Sequence, residues 1–342
     1  MQEIVQFPSV IESNNVDLKN VAQDLSTGLK IFHEGQGYII GNLALSEGVS
    51  PHKNINSAPD DVDYRLLLKS SLLIANQKLG NPITVTTGFP FSTFQLYRDA
   101  SKNLITGEHE VEFDAGTFGG GSRKKVVVEV DNVYVMPEVV GCALGLRHAE
   151  QKQTGNFFML SLGYGTFEAI LSTEGGIVQR SAVSTYGIRY AVNLLTRELS
   201  KTHYLDLKTE HQIDVAFSKG FIFLNRKRID LTELKKMVIK QYYDDVVSPS
   251  LRKAFTDADF GRSNKLFLAG GGAMYPELVE LFKQEFEGIV EVIVPEDPAS
   301  LAARGYCHNS YLVNGGDKSK AVGIDIGNSN TVLATFEKES YV

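Results

Sequence analysis

The sequence predicts an α/β protein of two layered domains, and three observations lead there. Short β-branched strands alternate with helical stretches along the whole chain, the pattern of α/β layers. With 342 residues the chain is long enough for two hydrophobic cores. Two segments, Phe157–Leu171 and Val322–Phe336, repeat one plan: an apolar strand, a glycine-bearing turn closing on threonine, and a second apolar strand.

The elements follow in order. Glu3 to Ile11 alternates as a strand ending at Phe7, Pro8 and Ser9. Residues 29–45 hold two short strands around Gly35 and Gly37, a hairpin pattern. Residues 62–79 place Val62, Leu66, Leu67 and Ile74 on a broad apolar face, which predicts a helix. Ile83 to Thr87 is a β-branched run stopped by Gly88, Phe89 and Pro90, with a helix following to about Lys102. Strands are expected near 109–114, 125–130 and 132–136. Pro137 then opens a helix through about Ala149, as proline does at a first helical position.

The hairpin Phe157–Leu171 turns at Gly163, Tyr164, Gly165 and Thr166. A third strand, Gly176 to Ser181, leads through Gly187 into a helix to about Ser200. Residues 205–262 hold a small strand pair and a long helix near 231–255. Lys265 to Leu268 is a buried strand broken by Gly270, Gly271 and Gly272; a helix covers Pro276 to Phe286 and a strand Val290 to Val294. The chain closes on Val322–Ile326, the turn Gly327, Asn328, Ser329, Asn330, and the strand Thr331–Phe336. Residues 314–320 are the most linker-like stretch.

The middle copy of the repeat is followed by a third strand, whereas the last copy has none after it. The strand Glu3–Ile11 has no partner in its own neighbourhood. Joining the last copy to that strand completes the plan, so the sequence reads as a circular permutation opened at a surface turn, where such cuts are tolerated. The expected domains are 1–150 plus 300–342, and 151–299.

A formal charge of −7 disfavours non-specific, direct nucleic-acid binding, which needs a basic surface. The basic runs at 123–125 and 226–228 read as solvated hairpins. Cys142 and Cys307 have no metal-ligand spacing and read as buried thiols. No apolar run reaches the ~18 residues that span a bilayer. The segment Met1–Phe7 lacks the basic and apolar regions of a signal peptide, so a cytoplasmic protein is the expectation.

A glycine at a tight turn lets backbone approach a ligand, and successive N–H groups then form an anion site. Two such turns would grip a polyphosphate from both sides. Asp325 precedes one turn and repels phosphate, so its natural task is to hold Mg²⁺. Ser329 and Thr331 offer hydroxyls, Asn328 and Asn330 amides. Either hairpin alone reads equally well as an ordinary Gly- and Asn-rich turn.

The run Asp325–Thr331 resembles the first phosphate motif of the actin, heat-shock-70 and sugar-kinase superfamily, built on a duplicated ribonuclease-H-like fold. Gly163–Thr166 resembles its second phosphate motif, and Leu268–Ala273 its adenosine motif. Met274 and Tyr275 are similar to actin residues that lie beside adenine. Phe7–Ser9, Gly37–Ala44, Thr86–Pro90, Met136–Glu138 and Asp297–Gly305 resemble bacterial and archaeal actin-like proteins of the ParM type. The resemblance implies a permuted two-domain actin-like fold that binds ATP or ADP with Mg²⁺. It implies that Glu138, at a helix start, orients the water attacking the γ-phosphate. The macrodipole alone also explains a carboxylate there. Ser161 departs from the family, which carries Asp at that point; slow hydrolysis follows as an expectation. Glu168 is no obvious replacement, acting at most through water.

The resemblance further implies a nucleotide-switched homopolymer filament, used in plasmid segregation through an adaptor bound to DNA, or as a bacterial or archaeal cytoskeleton. Such a filament needs a heterologous contact that does not close. Two other functions compete. One is a small-molecule kinase, since Asp325–Thr331 also looks like the start of type III pantothenate kinases. A kinase needs a general base near an acceptor hydroxyl. The other is an ATP-dependent scaffold or chaperone-like module.

Overall fold

The two hairpins of the repeat organise two sheets. In the computed structural model, which describes residues 1–54, 57–148, 152–205 and 209–337, the chain divides into two units. Unit 1 comprises residues 1–89, 93–149 and 302–342; unit 2 comprises 90–92 and 150–301. The expected helix end at Ala149 and the expected boundary at residues 150 and 151 lie outside the described residues.

Unit 1 begins with β1 (Gln2–Pro8), β2 (Val10–Ser13), β3 (Lys30–His33), β4 (Gln36–Ile40) and β5 (His52–Lys53). After the helix Val62–Leu79 come β6 (Ile83–Phe89), the helix Phe91–Ile105, β7 (Gly107–Asp114), β8 (Arg123–Pro137) and the helix Glu138–His148. Unit 2 contains β9 (Phe157–Leu162), β10 (Thr166–Thr173), β11 (Gly176–Ile177), β12 (Val183–Tyr186), helices Arg189–Ser200 and Glu210–Lys219, and β13 (Phe221–Leu224) with β14 (Lys227–Asp230). It ends with β15 (Lys265–Ala269), the helix Pro276–Glu285 and β16 (Glu291–Ile293). The helix Leu301–Val313 leads back to unit 1, closed by β17 (Ala321–Ile326) and β18 (Asn330–Phe336).

Unit 1 carries one ten-stranded sheet in the order β1-β18-β17-β6-β8-β7-β3-β4-β2-β5. Its core gathers Phe7, Leu67, Val85, Val133, Ile324 and Leu333, all at most 1% exposed. Each such side chain contributes on the order of 1.5–3 kcal/mol by leaving water. Unit 2 carries a sheet in the order β11-β10-β9-β15-β16, with β12 also on β10, and the separate pair β13–β14. Its core centres on Phe158, Leu160, Leu268 and Leu195.

Several elements differ from expectation. The N-terminal strand breaks after Pro8: β1 pairs with β18, while β2 pairs with β4 and β5. Proline lacks the N–H that would continue the β1 ladder. The strands expected at 125–130 and 132–136 are one 15-residue strand, whose first half pairs with β7 and second half with β6. Pro137 ends that strand, and Glu138 is the first helical residue. The long helix near 231–255 is Thr232–Tyr242, a wider π-helical turn over Tyr243–Val247, then Ser248–Ala254. The third strand beside β10 is chiefly β12, because a single helical turn at Gln179–Ser181 interrupts the expected segment. The helix Leu301–Val313 gives bounds to the apolar helical context that the sequence indicates around Cys307.

That last helix is seated through glycines. A Cβ on Gly305 would lie 1.9 Å from the Gly141 carbonyl, and one on Gly141 would lie 2.2 Å from the buried Tyr306 ring. The helices Leu301–Val313 and Glu138–His148 therefore touch backbone to backbone, which fixes the helix that starts at Glu138. Cys142 and Cys307 are buried free thiols in these two helices, as expected. The basic residues 123–125 and 226–228 are exposed, at the start of β8 and across the β13–β14 hairpin.

Candidate nucleotide site

The candidate site residues collect at strand ends. In unit 1, β17, β6 and β8 run parallel, with Ile324 opposite Thr87 and Thr87 opposite Val135. Their carboxyl ends share one edge, the place where α/β sheets bind ligands. Asp325 is the second-last residue of β17, and Glu138 follows β8 directly, so the register brings both acids to that edge. Burial, and next the Glu138 carboxylate, push the Asp325 carboxyl well above the usual carboxylate range. Two interacting acids at one site place a demand for a cation or a proton.

The turn after Asp325 is closed by Gly327 N–H donating to the Asn330 carbonyl at 3.1 Å. Ser9 N–H donates to the Ser329 carbonyl at 2.9 Å. The buried hydroxyls of Thr331 and Ser9 are 2.9 Å apart, so the Thr331 hydroxyl holds β18 against the chain after β1. Asn328 Nδ2 donates to the Asn54 carbonyl at 3.1 Å and lies 3.2 Å from Ser57 Oγ. Lys53 Nζ donates to Ser329 Oγ at 3.0 Å.

Unit 2 repeats this arrangement. Gly163 N–H donates to the Thr166 carbonyl at 2.9 Å, and Gly187 N–H donates to the Gly165 carbonyl at 3.0 Å. Gly163 thus corresponds to Gly327, Gly187 to Ser9, and Ser161 to Asp325. Ser161 sits opposite Glu168 in the β9–β10 ladder, and both are buried. Glu168 accepts from the Phe91 N–H at a helix start, a use for its charge that the sequence did not disclose.

The 163–166 turn is braced from one side. The carbonyls of Gly163 and Tyr164 accept from the N–H groups of Ile188 and Arg189, at 3.1 and 2.8 Å. These are N–H groups at a helix start, which need acceptors. A trans peptide points its N–H opposite to its C=O. The N–H groups of Tyr164 and Gly165 are therefore directed away from the brace, as an anion-binding turn requires.

Gly270 follows β15, which runs parallel to β9 with Ala269 opposite Ser161. At Gly270 φ is +81°, and a Cβ there would lie 2.6 Å from the Leu162 carbonyl. A Cβ on Gly272 would meet the Leu162 side chain at 2.7 Å, whereas one on Gly271 would meet nothing within 4 Å. The glycine run thus rests on the residue preceding the 163–166 turn and turns Gly271 outward. Met274 is 67% exposed, so it does not pack in the core, while Tyr275 is half-buried and edge-on to Phe217 at 5.2 Å.

The helix Glu210–Lys219 puts a carboxylate beside the 163–166 turn. Glu210 binds Arg189 through two hydrogen bonds of 2.7 and 2.9 Å and accepts from the Tyr164 hydroxyl at 3.0 Å. Burial, then the Asp214 charge, raise the hydroxyl pKa of both Tyr164 and Tyr275. The Lys235 ammonium lies 4.9 Å from the Tyr275 ring centre. Glu210 and Asp214, one helical turn apart, both bear on Tyr164, and Asp214 also bears on Tyr275. Their i, i+4 spacing was the available signal, hidden by an otherwise ordinary amphipathic helix.

With this geometry in view, the comparisons are consistent. Residues 2–141 match the N-terminal domain family of actin-like proteins. The archaeal actin homologue Ta0583 is 18% identical over 88% of this chain and 90% of its own, with a TM-score of 0.67; its ADP complex aligns at 0.62. A ParM from a 15-stranded Clostridium botulinum filament is 16% identical over 90% of this chain and 92% of its own, at 0.70. Bacillus thuringiensis ParM with ATP is 16% identical over 90% of this chain and 91% of its own, at 0.57. No curated protein matches the sequence. The chain thus has a two-domain, actin-like α/β fold. Among its structural neighbours are proteins of the ParM type.

Among the described residues no group of three or more His, Cys, Asp or Glu is arranged to hold a metal. Among the described residues no helix is long and apolar enough to cross a membrane.

Proposed function

We propose that this chain binds ATP and ADP with Mg²⁺, hydrolyses ATP, and assembles with copies of itself into a nucleotide-switched filament serving a cytoskeleton or plasmid segregation. The observation that carries the proposal is the meeting of Asp325 and Glu138 beside the Gly327–Asn330 turn. The two acids fit Mg²⁺, which is usually held by one or two carboxylates together with substrate phosphates rather than by an all-protein cage. Bound there, the ion would neutralise charge on the phosphates and relieve the repulsion at Asp325.

The protein's own part follows from its residues. N–H groups of the 163–166 and 327–330 turns bind phosphate oxygens. Gly271 leaves room for the sugar, and Met274 and Tyr275 give adenine an apolar surface. Asp325 holds the metal side, and Glu138 orients the attacking water. Ser161 leaves unit 2 without the acid that Asp325 provides in unit 1, and Glu168 is engaged with Phe91. Hydrolysis is accordingly slow. The filament reading draws on the named filament of the C. botulinum relative, and the nucleotide reading on the ADP and ATP complexes of the others. A DNA-bound adaptor belongs to the plasmid-segregation version of the proposal.

We also read the element order as a circular permutation. Its support is that β1 completes the β17–β18 hairpin as third strand, with Glu337 N–H donating to the Met1 carbonyl at 3.0 Å. A chain rejoined between residues 337 and 1 and reopened within 314–320 should fold and bind nucleotide; failure to fold would contradict the reading. Sedimentation with Mg²⁺-ATP, Mg²⁺-ADP and no nucleotide tests the filament: polymer is expected with ATP, and its absence in all three would overturn that part.

A further inference from the structure

We infer that unit 2 carries a docking site for an extended peptide segment that presents an arginine and, a few residues away, an acidic side chain. The site is a cavity of about 400 Å³ beside the π-helical turn Tyr243–Val247. Its lining includes Tyr186 at the end of β12, Tyr190 in the helix Arg189–Ser200, Asp245 and Val246 in the π-helical turn, and Lys253 in the helix Ser248–Ala254. A π turn inside a helix is rare and recurs at functional sites. Here it supplies part of the cavity wall.

The tyrosines form an anchored row. Tyr186 is 68% exposed, with its ring centre 6.2 Å from that of Tyr190, which lies 5.9 Å from that of the buried Tyr242. The Tyr242 hydroxyl donates to the Tyr186 carbonyl at 3.0 Å, so the exposed ring stands on fixed backbone. The Tyr190 hydroxyl donates to Asp245 Oδ2 at 3.3 Å, and Gln241 Nε2 donates to the same oxygen at 3.3 Å. These bonds hold a carboxylate at the edge of the row. The neighbouring Lys240 and Asp244 pair with each other at 2.6 Å. Ring faces beside a carboxylate fit a guanidinium, whose plane stacks on the one while its N–H groups pair with the other. Lys253 sets the second charge. It lies eight residues beyond Asp245 on continuous helical backbone, a rise of roughly 12 Å. The backbone charges of a free amino acid sit on one residue and cannot meet both. An extended chain rises about 3.3 Å per residue, so opposite charges about three or four positions apart match the spacing.

The site shares no residue with the proposed nucleotide contacts, so its test is independent of them. Acetylated and amidated peptides carrying one arginine and one glutamate, spaced three or four positions apart, are titrated into the full chain labelled with ¹³C at the tyrosine rings. Saturable shifts of the Tyr186 and Tyr190 signals are expected. Affinity should fall about fivefold when citrulline replaces the peptide's arginine, and likewise in Asp245→Asn. Lys253→Gln should weaken the arginine–glutamate peptide and leave unchanged a peptide with glutamine in place of glutamate. No saturable shift at either spacing, or equal affinity for the citrulline peptide, overturns the inference; the citrulline comparison uses wild-type protein and so holds even if a variant fails to fold. Sedimentable polymer that is lost in a folded Tyr186→Ala variant, with no peptide binding by wild type, assigns the cavity to a second copy of the chain and overturns the peptide assignment.

Discussion

The Glu138 carboxylate bears on Asp325 across the shared edge of β8, β6 and β17, adding to burial in holding the Asp325 carboxyl well above the ordinary carboxylate range. An acid whose native pKa exceeds its unfolded value binds more protons when folded. Its contribution then favours the native state at low pH and is lost as pH rises from the unfolded toward the folded pKa.

Asp325→Asn removes that burden. The nucleotide-free variant should melt at a higher temperature than wild type, with the difference growing as pH rises above the ordinary carboxylate range. Thermal melts at a series of pH values check it. A variant that melts lower than wild type at every pH would show that Asp325 is not under electrostatic strain. Removing a charge that function needs commonly stabilises a protein in this way.

Glu138→Ala should slow ATP hydrolysis by about 10²–10⁴-fold, the usual worth of a group placed for proton transfer or water orientation. ATP-state polymer should persist as a result. Phosphate release and sedimentation followed in the same sample measure both; an unaltered release rate removes Glu138 from the mechanism.

Gly187→Ala tests the brace on the second turn. The added Cβ would lie 2.4 Å from the Gly163 carbonyl and 2.7 Å from both the Thr166 nitrogen and the Tyr164 carbonyl. All three are backbone atoms, so relief requires the turn to move. Overpacking of this kind costs about 1–3 kcal/mol. ATP affinity should fall with stability, as read by calorimetry and denaturant unfolding; a variant unchanged in both would show that the brace does not set the turn.

Ser161→Asp would restore an acid at the counterpart of Asp325, but opposite the buried Glu168. Two buried carboxylates cannot both ionise cheaply. The expected outcome is a destabilised protein, by roughly 3 kcal/mol if the new charge stays uncompensated. A gain in stability by denaturant unfolding would contradict the assigned surroundings of Ser161.

The legible parts of the sequence were those whose cause is local. Gly327 and Gly163 announce tight turns between apolar strands, and Asp325 stands out because an acid is unexpected in a buried strand. Glu138 was visible as an acid opening a helix, although Pro137 was assigned to the helix and belongs to the strand. What stayed hidden depends on distant pairing. Lys53 reaches Ser329 across the fold, Glu168 is claimed by Phe91, and Glu210 binds Tyr164 and Arg189 from another helix. The helix Leu301–Val313 was left without bounds because Gly305, Cys307, Asn309 and Ser310 lower its helix propensity, and its seat on Gly141 is a tertiary contact.

The account turns on Asp325 and Glu138 serving a metal–nucleotide site, and calorimetry of Mg²⁺-ATP binding to wild type and Asp325→Ala tests it most directly. The account predicts binding by wild type that depends on Mg²⁺ and is abolished in Asp325→Ala, with the fold of the variant intact by circular dichroism. Equal Mg²⁺-ATP affinity in the two proteins would contradict it.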